Sequence, residues 1–196
     1  MEYNNQTKEI FIDKELNNLD KFALDFTKIV EKHVSYVIVA GYVSILLGRT
    51  RITEDIDMFI EKILEDKFFM LYEDLERNGF WCLNTDRKEE AYDYLKSRIA
   101  IRFAKQGLSI PNFEVKFPKD SLDEEVFRDF VIVILPEGKL KISSLERNIA
   151  FKRYFLGSDK DNDDARHVED LFGDKIDYGK INEIKMFIER RKRGIV

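Results

Sequence analysis

The stretch VIVAGYVSILLGRTRITEDIDMFIEK, residues 37–62, constrains the fold more than any other part of the chain. An apolar block ends at Ala40, Gly41 interrupts it, and YVSILLG reads as a short helix ending at Gly48. A second strand-like block then opens with two acids, Asp55 and Asp57, one residue apart. A carboxylate has a large desolvation cost unless something pairs with it, and two together repel. In a strand, residues i and i+2 share a face, roughly 6.5 Å apart along the chain. Asp55 and Asp57 therefore converge on one side while Ile56 and Met58 point into the core. Solvent or a cation has to neutralise them.

Elsewhere the pattern is mixed at the front and helical at the back. Residues 13–32 carry Leu16, Leu19, Phe22, Ala23, Phe26, Ile29 and Val30 at helical spacing, with Asp13 as the expected N-cap. Further helices are expected over 65–78, closed by Gly79, over 87–95 and over 121–128. Strands are expected over 36–40, 55–61, 80–83, 98–104, 113–117, 130–135 and 138–143. After Ser143 three helical segments follow, 144–155, 161–172 and 177–191. The expected class is α+β: a small mixed β-sheet flanked by helices over residues 1–142, and a C-terminal helical subdomain over 143–196 packed on it.

Composition narrows the function. Hydrophobic residues make up 44% of the 196 residues, enough for a packed core and too many for a disordered chain. A net charge of -5 excludes a nucleic-acid binder that works by bulk positive charge. The lone cysteine, Cys82, leaves no intramolecular disulfide and fits a reducing cytoplasm; beside Trp81 it reads as packing. No uninterrupted apolar run is long enough to cross a membrane, and the N-terminal MEYNNQTKEIFID does not read as a signal peptide. No membrane association is expected.

Two carboxylates on one strand face suit Mg²⁺, which takes a couple of carboxylates plus water and phosphate oxygens. An isolated Asp-x-Asp more often caps a turn in solvent. Gly41, opening a helix just upstream, changes that weight, because a helix N-terminus attracts anions. Arg49 and Arg51 would face a triphosphate or serve as surface charge, and Thr53 would hydrogen-bond the turn before Asp55. Asp163, Asp164 and His167 read as a solvated helix face, His33 as a helix C-terminal partner, and Arg190 to Arg193 as a solvated helix end.

Gly41, the short helix and Asp55-Ile56-Asp57 leading into apolar residues resemble the signature of the nucleotidyltransferase superfamily, whose fold is shared with DNA polymerase β. GRTRITEDIDMFI resembles in particular the prokaryotic branch that includes abortive-infection and related toxin nucleotidyltransferases. The resemblance spans Tyr36 to about Glu61, with a second block from Lys141 to Leu171. It implies a third acid on a later strand, matched by Glu114 in NFEVKF with Asp120 as the fallback. Asp55, Asp57 and Glu114 would then be the catalytic metal ligands for Mg²⁺ or Mn²⁺. Gly41, Tyr42, Ser44, Arg51 and Lys152 would meet the nucleotide, with Asp161 and Asp164 positioning the helix pair that carries Lys152. Tyr42 departs from the family pattern, which has Gly or Ser there. The implied activity is metal-dependent transfer of NMP from an NTP to an acceptor hydroxyl on tRNA or other RNA, a protein or a small molecule, in a toxin-type enzyme with an antitoxin partner. Two alternatives stand beside it. One is a nucleotide-sugar glycosyltransferase using Asp-x-Asp, which normally has a longer α/β unit before the motif. The other is a non-catalytic binding module that keeps the fold for partner contact.

Overall fold

A computed structural model describes residues 1–194. In chain order the elements are β1 (Glu2–Asn4), β2 (Glu9–Phe11), α1 (Asn18–Val30), β3 (Tyr36–Val39), α2 (Gly41–Leu46), β4 (Asp55–Ile60), α3 (Glu65–Arg77), β5 (Phe80–Cys82), α4 (Lys88–Lys96), β6 (Ile101–Lys105) and β7 (Asn112–Lys116). They continue with α5 (Ser121–Glu124), a 3₁₀ turn at Glu125–Phe127, β8 (Phe130–Leu135), β9 (Gly138–Ser143), α6 (Leu145–Ala150), a π-helical turn at Phe151–Leu156, α7 (Asp159–Phe172) and α8 (Tyr178–Lys192).

The strands form one mixed sheet in the order β1-β2-β8-β9-β3-β4-β7-β6-β5. This corrects the expectation of a small sheet: it has nine strands. The added size has two sources. The β8–β9 hairpin joins the sheet through parallel pairing of Ile38 with Ile142, and β2 extends it by parallel pairing with β8. The β1 and β2 segments are three residues each, too short for an alternating pattern to show.

α1 begins later than expected. Its N-cap is Asn17, whose side chain accepts from the Asp20 amide while the Asp20 carboxylate accepts from the Asn17 amide. That reciprocal pair satisfies helix-end donors that Asp13 does not reach. From this start, α1 directs Phe22 and Phe26 onto the sheet, where Phe26 stacks on Phe113 of β7 with centroids 4.2 Å apart. Phe22 stacks on the same ring at 5.4 Å. Such pairs add about 0.5–1.5 kcal/mol beyond burial. They also fix the face of β7: with Phe113 and Val115 buried, Glu114 and Lys116 turn the other way. β4 alternates likewise, with Ile56, Met58 and Ile60 buried and Asp55, Asp57 and Phe59 half-buried.

The change from sheet to helices falls at Ser143–Ser144, where Ser144 caps α6 by accepting from the Arg147 amide. α7 and α8 both pack on α6, and α7 also packs on α2. Among the described residues, no helix is long and apolar enough to cross a membrane.

Candidate active site

The connection from β3 to α2 is strained at Ala40, with φ 60° and ψ -130°. A non-glycine residue in that region costs of order 1–3 kcal/mol and persists only where its surroundings hold it. The Asn148 amide of α6 donates to the Ala40 carbonyl at 3.3 Å. Gly41 follows, and its missing side chain is filled from outside: a Cβ there would lie 2.4 Å from an Arg51 guanidinium nitrogen. Tyr42 turns into the core, where its hydroxyl donates to Asp20 Oδ1 at 3.0 Å. Burial, and then the Asp20 charge, push its ionisation far up. Ser44 is buried too, with no hydrogen-bond partner for its hydroxyl among the described residues. The Tyr42 and Ser44 side chains thus support the turn from behind.

Asp57 lies directly opposite Glu114 in the parallel β4–β7 register. Between them sits Lys116, its Nζ 2.6 Å from Asp57 Oδ1 and 2.6 Å from Glu114 Oε1. Arg102 of β6 holds the second Glu114 oxygen at 2.6 Å. Burial alone would raise the Glu114 pKa; Lys116 and then Arg102 outweigh it and hold the carboxyl below its usual range. For Lys116 burial works against the charge, and Asp57 and Glu114 overcome it, so its pKa is raised. Asp55 stands apart, its Oδ1 accepting from the Thr53 hydroxyl at 3.2 Å. Sequence reading did not select Lys116, although strand alternation placed it on the Glu114 face. Asp120, the fallback acid, caps α5 and pairs with Arg191 at 2.9 Å.

A second charge cluster centres on α7. Asp164 of α7 is fully buried. It pairs with Arg49 Nε at 2.8 Å, Arg51 Nη1 at 2.7 Å and Lys152 Nζ at 2.9 Å. Lys152 also reaches Asp161 at 2.7 Å, and the Ser158 hydroxyl donates to the other Asp161 oxygen at 2.6 Å. This corrects the solvated-face reading of α7: Asp164 is buried because three cations from other segments converge on it, and the His167 ring meets the Leu47 carbonyl at 3.1 Å. Asp163 does remain partly exposed, 3.4 Å from Arg49. Lys152 is carried by the π-helical turn after α6, a local widening frequent at functional sites. His33 pairs with Asp74 of α3 at 2.9 Å.

A cleft of about 290 Å³ opens between the sheet and the C-terminal helices, with Asp57, Lys116 and Ala40 on the sheet side and Lys152, Phe151 and Phe155 on the helical side. Lys119, Arg147 and Arg191 bring its cations to five, against the carboxylates Asp57 and Asp123. Four of these cations are already ion-paired: Lys116 with Asp57 and Glu114, Arg147 with Asp129, Lys152 with Asp161 and Asp164, and Arg191 with Asp120 and Asp123; Lys119 has no ion pair among the described residues. Arg191 was expected on a solvated helix end. It instead pairs with Asp120 and Asp123, each at 2.9 Å, and lies over the Phe155 ring.

The described residues hold no cluster of three His, Cys, Asp or Glu side chains arranged to bind a metal ion. Asp57 and Glu114 nevertheless present two hard oxygens to one point, held by the Lys116 ammonium. In charge and donor type, that pair fits a divalent cation in the ammonium's place.

No protein-family model matches the chain, and no curated protein matches its sequence. Its fold is similar to that of an antigenic nucleotidyltransferase-like protein from Paracoccidioides brasiliensis, with a TM-score of 0.53 and 15% identity, covering 89% of this chain and 87% of that one. At that identity the likeness is one of fold.

Proposed function

Starting from this nucleotidyltransferase-like fold, we propose that the chain transfers a nucleotidyl group from an NTP to an acceptor hydroxyl. The observation that carries the reading is Asp57, which lies directly opposite Glu114 in the β4–β7 register and itself lines a cleft with five cations. Asp55, Asp57 and Glu114 would hold Mg²⁺ or Mn²⁺. The bound ion supplies charge neutralisation at the reacting phosphate and at the leaving oxygen.

The chain's own groups do the rest. Lys152 and Arg191 meet the polyphosphate from the helical side and Lys119 from the connection after β7, and Arg49 and Arg51 brace the turn through Asp164. Glu114 takes the proton of the acceptor hydroxyl. The hydroxyl oxygen then bonds to the α-phosphorus, the bond from that phosphorus to the bridging oxygen breaks, and pyrophosphate leaves with the electron pair, stabilised by the cleft cations. The acceptor is RNA such as tRNA, a protein side chain or a small molecule, and a prokaryotic toxin with an antitoxin partner is the biological setting that the sequence resemblance favours.

A second reading, a binding module without catalysis, draws support from Lys116, which already neutralises the acidic pair. Label transfer separates the two. Wild-type protein, Mg²⁺ or Mn²⁺, each α-labelled NTP and lysate split into RNA and protein fractions should yield a labelled acceptor, whereas an Asp55→Ala/Asp57→Ala double variant that still folds should yield none. Transfer retained in the double variant would overturn the metal-dependent mechanism. No transfer and no NTP binding by wild type would favour the module.

A further inference from the structure

Lys116 is placed where a catalytic cation would be needed. Its register partner on β4 is Phe59, and it lies two residues beyond Glu114, so it shares the Glu114 face. Its Nζ touches one oxygen of Asp57 and one of Glu114 at equal distances of 2.6 Å, and its side chain is 27% exposed. Without it, two carboxylates on neighbouring strands would face each other about 4.8 Å apart by backbone spacing. With Lys116 and Arg102 in place, two carboxylates are balanced by two cations. An ammonium and a divalent ion repel each other and would draw on the same oxygens, so they cannot share that point.

We propose that Lys116 is an internal counter-ion that occupies the metal position of the resting protein, so that a divalent cation is seated only in exchange for the ammonium. This rests on the metal-dependent reading above and adds a gate to it. The gate keeps the acidic pair preformed without a metal and makes cation entry weak until the lysine moves. The freed ammonium stays within the cleft that receives the phosphates.

The test is Mn²⁺ binding to the purified full chain without nucleotide, followed by electron paramagnetic resonance and by calorimetry. Lys116→Met and Lys116→Gln should each bind Mn²⁺ roughly tenfold more tightly than wild type, the size expected when one competing charge contact is removed. Adding Asp57→Asn to Lys116→Met should abolish that gain. The midpoint of thermal unfolding should rise more with Mn²⁺ in Lys116→Met than in wild type. Equal or weaker binding by the lysine variants, with Asp57→Asn weakening the wild type, overturns the counter-ion while leaving the metal site standing. Binding that is absent or indifferent to Asp57→Asn in every protein overturns both.

If neither variant folds, the wild type carries the test. Acetic anhydride should modify Lys116 several-fold faster in saturating Mg²⁺, read by peptide mass spectrometry, and an unchanged rate would overturn the proposal.

Discussion

Two clusters of carboxylates and cations lie on the two sides of this molecule's cleft region, and they are built differently. At Asp57 and Glu114 the acids belong to adjacent strands, remain half-buried, and are bridged by a lysine from the same sheet. At Asp164 one fully buried acid gathers Arg49, Arg51 and Lys152 from two distant segments. On the counter-ion proposal the first exchanges its cation, since Asp57 and Lys116 line the cleft. The second cannot, because removing its fully buried acid leaves Arg51 with no carboxylate among the described residues and takes one of two from Arg49 and Lys152. Like composition therefore yields a half-buried bridge in one place and a buried clamp in the other. Burial decides which.

The largest expected effect breaks the clamp. Asp164→Ala should cost about 3–5 kcal/mol of unfolding free energy, since breaking a buried pair leaves uncompensated charge. Asp57→Asn should cost under about 1 kcal/mol, in the range of partly exposed pairs. Urea denaturation of both variants checks the difference; equal costs would dissolve the distinction. Next in size is Gly41→Ala. The added Cβ meets the Arg51 guanidinium at 2.4 Å, and that group is held by Asp164 and cannot move freely. A loss of about 1–3 kcal/mol is expected, as for other overpacked sites. Arg51→Ala in the Gly41→Ala background should cost less than the sum of the two single changes, a coupling that a double-mutant cycle reads directly.

The same contrast explains what the sequence made legible. Strands β3, β4, β7, β8 and β9 and helices α3, α7 and α8 follow from period, because each buries one regular face. Asp55 and Asp57 stood out by residue type and alternation, and Glu114 through the family resemblance. The fact that Asp57 faces Glu114 required the β4–β7 register, which no local pattern states. Asp164 looked solvated because Arg51, its partner, lies 113 residues away in the chain. The Gly41 signal was read as a helix start that attracts anions, while the group that fills the space beside it is Arg51. Lys116 was visible on the right face, but its role appears only when two strands bring their acids to one ammonium.

The smallest effect sharpens the comparison at its edge, through Asp161. This acid belongs to the clamp by its 2.7 Å bond to Lys152, yet it sits at the first turn of α7, nearer solvent than Asp164. Burial would raise its pKa; Lys152 and Ser158 outweigh that and hold it below the ordinary aspartate value of 3.8. A group whose folded pKa is depressed contributes stability that is present above the unfolded value and is lost as pH falls through the folded one. Wild type should therefore lose part of its stability on acidification in a window that begins near pH 3.8 and extends below it. Asp161→Asn should be less stable at neutral pH and show a shallower acid slope in that window, measured by urea denaturation at stepped pH. Parallel slopes for the two proteins would mean that Lys152 draws its compensation from Asp164 alone. The clamp would then be a single-acid hub, and Asp161 would serve only to cap its helix.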